Sequence, residues 1–204
     1  MATMTRTLPE DEDTLRRSID AMHRRQKVAF AAGYAQRLLI IFDGRRDGVE
    51  HRHAYDRATI ALEILWSVAD GADHQTDELA HISDELLALI PDDDDPNFTW
   101  SRTLLGDILR TIVHATGVAS NEDTTAAVWA RRVFTDYLDL IVQRRSPAGY
   151  IEDLEHCAFF QTAIALIDED VASSANPAMH RKFTTAQGTQ LLSMVSTYLG
   201  STSD

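Results

Sequence analysis

The sequence predicts an all-α fold, a single-domain multi-helix bundle of about eight helices. Apolar residues recur every three or four positions along almost the whole chain, which is the spacing of an amphipathic helix. No convincing segment alternates apolar and polar residues, and no Asn-Gly or Asp-Gly turn joins two β-branched runs. No Pro/Gly/Ser-rich linker divides the 204 residues. Residues 1–204 are therefore predicted to form one all-α domain, in which residues 1–9 are disordered.

The first four helices are predicted near residues 10–24, 26–42, 54–69 and 73–90. Gly71 follows the third helix and suits the left-handed residue that closes a helix. Pro91 ends the fourth, because the residue before a proline is biased away from the helical conformation. Gly33 in the second helix costs about 1 kcal/mol relative to alanine, as does Gly106 further along. Close helix–helix approach is expected to compensate at both glycines.

The last four helices are predicted near residues 97–116, 122–144, 148–172 and 178–199. Asp95-Pro96 and Asn176-Pro177 each place an N-cap acceptor before a proline in the first turn of a helix. Gly117 is expected to close the fifth helix. Arg144 and Arg145 lie in the last turn of the sixth, where cations complement the helix dipole. Residues 157–167 are almost entirely apolar, which predicts a helix at the centre of the bundle.

The negative charge is concentrated in one fifth of the chain. The stretch from Ala58 to Ser101 contains eleven acidic residues and no lysine or arginine. The formal net charge is −13, yet outside this stretch 21 acidic residues face 19 basic ones. On a helical wheel, Leu79, Ile82, Leu86 and Leu87 share one face and the carboxylates share the other. The stretch is therefore predicted to be a folded acidic surface that attracts a cationic partner.

Composition excludes several classes of protein. A net charge of −13 argues against nucleic-acid binding, which needs a basic patch. No apolar run approaches the 18 residues of a membrane span, and the first residues lack the pattern of a secretory signal. The single cysteine, Cys157, excludes an internal disulfide and suits a reducing compartment. A cytoplasmic location is therefore predicted.

Two Glu/Asp-x-x-His pairs raise the question of a metal centre. Glu78 and His81 have the spacing of the di-iron helical bundles, and Asp153 and His156 repeat it with aspartate. The first pair lies on the polar face of its helix, which is the wrong side for a core site. Asp92–Asp95 lacks the glycine and glutamate spacing of an EF-hand calcium loop. No catalytic residue, metal ligand or cofactor is assigned, although a metal-dependent helical-bundle enzyme remains the alternative.

Three segments together resemble a known bacterial family. They are residues 26–38, an apolar helix with Phe-Ala-Ala and an arginine, residues 61–66, which end in Trp66, and the Ile-Pro-acidic segment 90–95. In that order they resemble the YjaG-like family, a helical domain of unknown function, over roughly residues 12–145. Relatives tend to have a proline–aromatic turn after the arginine helix, which Leu39–Asp43 replaces here. The resemblance implies a compact all-α fold in the bacterial cytoplasm and lends no catalytic residue.

The function that the sequence predicts is protein binding. An acidic helical protein without catalytic motifs fits an immunity protein, which neutralises a basic toxin through the acidic surface of residues 70–100. The alternatives are the metal-dependent enzyme and a structural or oligomeric helical module that closes a homodimer. The predicted partner-binding residues are Asp73, Asp77, Glu78, Asp84, Glu85, Asp92, Asp93, Asp94 and Trp100.

Overall fold

The computed structural model describes residues 12–43, 52–74, 76–92, 99–145, 154 and 157–200. Within these ranges the chain forms nine α-helices and no strand, which confirms the all-α prediction. The helices are α1 (Glu12–Asp20), α2 (Arg24–Asp43), α3 (Arg52–Asp70), α4 (Thr76–Leu87), α5 (Trp100–Asn121), α6 (Thr124–Arg145), α7 (Ala158–Ala165), α8 (Asp170–Ser173) and α9 (Pro177–Gly200). Helix α8 is a single turn, and the other eight helices of the described ranges pack into the bundle. None of the described helices is long and apolar enough to cross a bilayer. The predicted disorder of residues 1–9 concerns residues outside the described ranges.

Helix α2 occupies the centre of the bundle. It packs against α3, α5, α6 and α9, and its side chains are buried on all sides from Lys27 to Ala35. Small residues allow the close approach of α9. A Cβ added at Gly33 would lie 2.7 Å from Nε2 of His180, and one added at Gly188 would lie 2.8 Å from Cδ1 of Ile40. The close approach predicted at Gly33 is therefore confirmed.

The prediction that residues 157–167 form the central helix is wrong. Helix α7 has only eight residues and packs at the edge of the bundle, against α6 and α9. Its outward side carries Ala158, Gln161 and Thr162, which are small or polar and cost little to expose. The predicted helix 148–172 also breaks, because residues 166–169 form a turn before α8. Ile167 in this turn and Asp170 at the start of α8 are buried, while the two acidic residues between them stay exposed.

Some helix ends follow the predicted signals and others do not. Helix α4 ends at Leu87 rather than at Ile90, so the prediction that Pro91 ends it is wrong. Gly71 takes a φ of 104° directly after α3, and Oδ1 of Asn176 accepts the backbone N–H of Met179 in the first turn of α9. Gly117, however, does not end α5. The helix continues to Asn121, and Glu122 adopts the left-handed conformation with a φ of 54°. Because Val118 and Ala119 continue the buried face, packing outweighs the glycine signal. The prediction that Asp95-Pro96 caps the fifth helix is also wrong, because α5 begins at Trp100 and its N-cap is Thr99, whose side chain accepts the backbone N–H of Arg102. Asp95 and Pro96 themselves lie outside the described residues.

Candidate functional site

The predicted acidic surface is built on α4 and the turn before it. Helix α4 buries Leu79, Ile82 and Leu86 against its neighbours α5 and α3. Leu87, which was expected on the packing side, is 50% exposed because α4 ends there. The outward side carries the carboxylates that we call the acidic face: Asp73, Asp77, Glu78, Asp84 and Glu85. Four of these residues are exposed and Glu85 is half-buried.

A groove runs beside the acidic face, between α3 and α4. Its volume is about 230 Å³, and Glu78, His81 and Glu85 border it from α4. These three residues share one side of the helix because their spacing is three and then four positions. Ile60 and Ile64 line the groove from α3, and Ile60 is 48% exposed. The groove is therefore lined by apolar side chains together with two carboxylates, an imidazole and the guanidinium of Arg57.

Basic residues from outside the acidic stretch neutralise part of its charge. The guanidinium of Arg57 pairs with Glu85, and that of Arg181 on α9 pairs with Glu63. Nδ1 of His74 lies 3.1 Å from Oε2 of Glu78, while its Nε2 lies 2.8 Å from the hydroxyl of Ser67. Two of the α4 carboxylates, Asp77 and Glu78, also stand in the first turn of the helix, where negative charge complements the dipole.

Three aspartates of the acidic face have no ion-pair partner in the part of the chain that the structure describes. Asp73, Asp77 and Asp84 are exposed and form no ion pair with any residue in the described ranges. Asp92 is also exposed, while Asp93 and Asp94 lie outside the described residues. Trp100 is half-buried, and the guanidinium of Arg144 covers its ring at 4.8 Å from the centroid. A partner would therefore meet the three aspartates directly but would have to displace Arg144 to reach Trp100.

The structure brings no metal centre together in the part of the chain that it describes, where no group of three or more His, Cys, Asp or Glu side chains converges. His81 is 74% exposed and lies 3.5 Å from Glu85, so Glu78 and His81 sit on the surface. The second predicted pair, Asp153 and His156, lies outside the described residues. The only cysteine, Cys157, is half-buried with its sulfur 3.8 Å from the Tyr198 hydroxyl.

The sequence interpretation missed a buried polar network between α2, α8 and α9. Arg37 is 0% exposed, and its Nη2 donates to the Asp170 carboxylate and to the side-chain oxygen of Gln187. Nε of Arg37 also donates to Gln187 at 3.0 Å, and the Gln187 amide donates to the carbonyl of Leu166. Burial raises the pKa of Asp170, although Arg37 opposes that shift. Burial and then the charge of Asp170 raise the pKa of Tyr34, whose ring lies against the Arg37 guanidinium.

A serine–histidine pair adjoins this network. The Ser173 hydroxyl oxygen lies 3.3 Å from the backbone carbonyl oxygen of Asp170 and 2.8 Å from Nδ1 of His180, and it hydrogen-bonds to both. Burial and the charge of Arg37 lower the pKa of His180 to about 3. A general base works best with a pKa near the ambient pH. We therefore interpret the pair as a structural hydrogen bond that connects α8 and α9, and not as an activated nucleophile.

One signal in the sequence could have revealed this network. Arg37 is the only charged residue between Val28 and Phe42, in a helix that is otherwise apolar on every side. A charge in such a helix must be buried, and a buried charge requires a partner. The sequence does not identify the partner, because Asp170 lies 133 positions away.

Comparison with known proteins shows a shared fold. No protein-family model matches the chain, and no curated protein matches it. Among solved structures, the chain is similar to a DUF416 family protein from Shewanella baltica OS155, with a TM-score of 0.55 and 12% sequence identity. The match covers 92% of this chain and 93% of the other. At this identity the likeness establishes the helical fold alone, and the resemblance to the YjaG-like family stays a prediction.

Proposed function

We propose that this protein is a binding protein whose acidic face docks a basic protein partner, in the manner of an immunity protein that neutralises a cationic toxin. The observation that carries the proposal is the groove between α3 and α4. There the half-exposed Ile60 lines the same groove as Glu78 and Glu85 of α4, and Arg57, the partner of Glu85, lines it from α3. A lysine or arginine side chain has matching chemistry, because its aliphatic stem packs on apolar surface while its charged head reaches a carboxylate.

The charge of the whole chain supports the same function. A net charge of −13 with uncompensated Asp73, Asp77 and Asp84 beside the groove creates a field that steers a cationic surface toward it. Such a field raises the rate of association more than it raises affinity, and added salt screens it. We place the encounter in the bacterial cytoplasm, in keeping with the single Cys157.

A second copy of the chain is a poorer occupant of this face. Two acidic faces brought together would repel each other, and like charges opposed across an interface cost several kcal/mol. A homodimer would therefore have to form through another surface. Light scattering at increasing protein concentration measures this directly. A dimer that the Ile60→Asp substitution dissociates would replace the proposed function with self-association through the groove.

The decisive experiment compares two variants of equal charge. In the first, Asp73→Asn, Asp77→Asn and Asp84→Asn remove the uncompensated charges of the acidic face. In the second, Asp13→Asn, Asp168→Asn and Glu169→Gln remove three exposed charges elsewhere on the surface. A partner captured from the native host is identified by mass spectrometry, and its association rate is measured by surface plasmon resonance between low and physiological salt.

The acidic-face variant should slow association about tenfold at low salt, and the control variant should slow it by less than about twofold. The rate for the unmodified protein should fall steeply with added salt. Ile60→Ala should mainly speed dissociation, since it removes apolar contact rather than charge. A partner that associates at a rate independent of salt, or that responds equally to both triple variants, would contradict docking through the acidic face.

A further inference from the structure

A second groove lies among α1, α6 and α7. Its volume is about 290 Å³. Leu15 of α1, Val128 of α6, and Phe160 and Ile164 of α7 give it apolar walls. An engineered protein cavity of about 150 Å³ holds one benzene molecule, so this groove has room for a body of about two rings. Binding sites for small molecules are typically apolar concavities with a few polar groups.

One of those polar groups is Arg131. It lines the groove from α6, is half-buried, and its guanidinium forms no hydrogen bond or ion pair with any residue in the described ranges. A guanidinium that is partly removed from water without a partner is costly, and a carboxylate satisfies it in bidentate geometry. Within the described ranges, no carboxylate lies within hydrogen-bond or ion-pair distance of this guanidinium, so the side chain is prepared for an added anion.

The described charges that interact with Arg131 leave a positive excess. Arg37 and Arg131 both act on the buried carboxylate of Asp170, so two guanidiniums share one negative charge. The neighbouring imidazole of His180 is neutral at physiological pH, because its pKa is lowered to about 3. The Tyr34 hydroxyl is neutral as well, because burial raises its pKa.

The two acidic residues that line the groove do not cancel this excess. Glu12 lies at the exposed rim, 3.5 Å from Arg16. Burial raises the pKa of Asp136, and the charge of Arg132 opposes that shift. Each of these carboxylates therefore has a cation of its own, and the charge of Arg131 remains available to a ligand.

We propose that this groove binds a small organic anion with an apolar body of about two rings and one carboxylate, and that the carboxylate pairs with Arg131. The apolar walls from Leu15, Val128, Phe160 and Ile164 hold the ring system. The site is independent of the acidic face, because it lies on α1, α6 and α7 rather than on α3 and α4. Its ligand is a small molecule of opposite charge to the proposed protein partner.

The probe is 2-naphthoate, with 2-naphthalenemethanol as the uncharged molecule of nearly the same shape. Calorimetry at neutral pH should show one site for 2-naphthoate with a Kd on the order of 0.1 mM. The alcohol should bind about tenfold more weakly, since it lacks the charge-assisted hydrogen bonds. Arg131→Met should reduce the affinity for 2-naphthoate to that for the alcohol and leave the binding of the alcohol unchanged. Arg52→Met is the matched control, because it removes an exposed arginine on α3 and should change neither affinity.

A separate experiment tests whether the probes bind in this groove. Ile164→Trp fills the groove and should abolish the binding of both probes, while methyl shifts in the unmodified protein should report 2-naphthoate at Leu15, Val128 and Ile164. Equal affinity for acid and alcohol, an undiminished affinity in Arg131→Met, or no binding at a few millimolar probe would overturn the proposal. If Arg131→Met unfolds, the methyl shifts and Ile164→Trp decide the outcome, and shifts confined to other parts of the molecule would also overturn it.

Discussion

The buried imidazole of His180 should make the fold less stable as the pH falls from 7 to 5. Its pKa in the folded protein is lowered to about 3, by burial and by the charge of Arg37. In the unfolded chain a histidine titrates near 6.5. Between these two pKa values, the imidazole is therefore protonated in the unfolded chain and neutral in the folded protein. This contribution to stability is full above pH 6.5 and is lost as the pH falls toward 3. At about 1.4 kcal/mol per pH unit, the loss between pH 7 and pH 5 is ~2 kcal/mol.

The neighbouring carboxyl acts in the opposite direction. Burial raises the pKa of Asp170 above that of an unfolded aspartate, so its protonation favours the fold at low pH. A comparison with His180→Asn separates the two effects, because both proteins retain Asp170 and asparagine keeps a donor for Ser173. Urea unfolding at pH 7, 6 and 5 should show the variant less stable at pH 7. The difference in the free energy of unfolding should narrow by ~2 kcal/mol at pH 5. If the free energies of unfolding of the two proteins changed equally between pH 7 and pH 5, this account of His180 would be refuted.

Three further predictions concern the buried ion pair, the helix packing and the helix capping. Arg37→Met should cost about 3–5 kcal/mol in urea unfolding at pH 7, because it leaves Asp170 buried without its partner. Adding Asp170→Leu should recover more than about 1 kcal/mol, and strictly additive losses would contradict the pair. Gly33→Ala should cost about 1–3 kcal/mol, because its Cβ would lie 2.7 Å from an imidazole nitrogen of α9. Gly106→Ala should be neutral or stabilising by up to about 1 kcal/mol, since the nearest atom, at 3.3 Å, belongs to a flexible side chain. Thermal melts that reverse this order would disprove the packing argument. Asn176→Ala should cost about 1 kcal/mol in urea unfolding by removing the N-cap of α9, and an unchanged free energy would show that the cap contributes nothing.

Helix positions could be predicted from the sequence because their signals are local. The apolar spacing, the glycine after α3 and the proline that opens α9 each act within one or two turns of the chain. The order of the helices in space could not be predicted in the same way. An apolar run such as 157–167 predicts burial, but the central place belongs to α2, whose small residues admit α9 at short distance. Which helix is central depends on the fit between surfaces that are distant in sequence.

The same distinction applies to the candidate site. Helical spacing placed the carboxylates of α4 on one face, since residues three and four positions apart lie together on a helix. It could not show that Arg57 and Arg181 neutralise Glu85 and Glu63, because those cations come from elsewhere in the chain.

A stretch without basic residues is therefore not a surface without basic residues. The charge that a partner meets is the charge that remains after folding has formed its own ion pairs. On the described acidic face that remainder is Asp73, Asp77 and Asp84, and in the groove among α1, α6 and α7 it is Arg131. A chain with a net charge of −13 can thus present one surface to a cation and another to an anion. The two proposed sites bind partners of opposite charge on different helices. The experiments on one site can therefore refute its proposal without affecting the other.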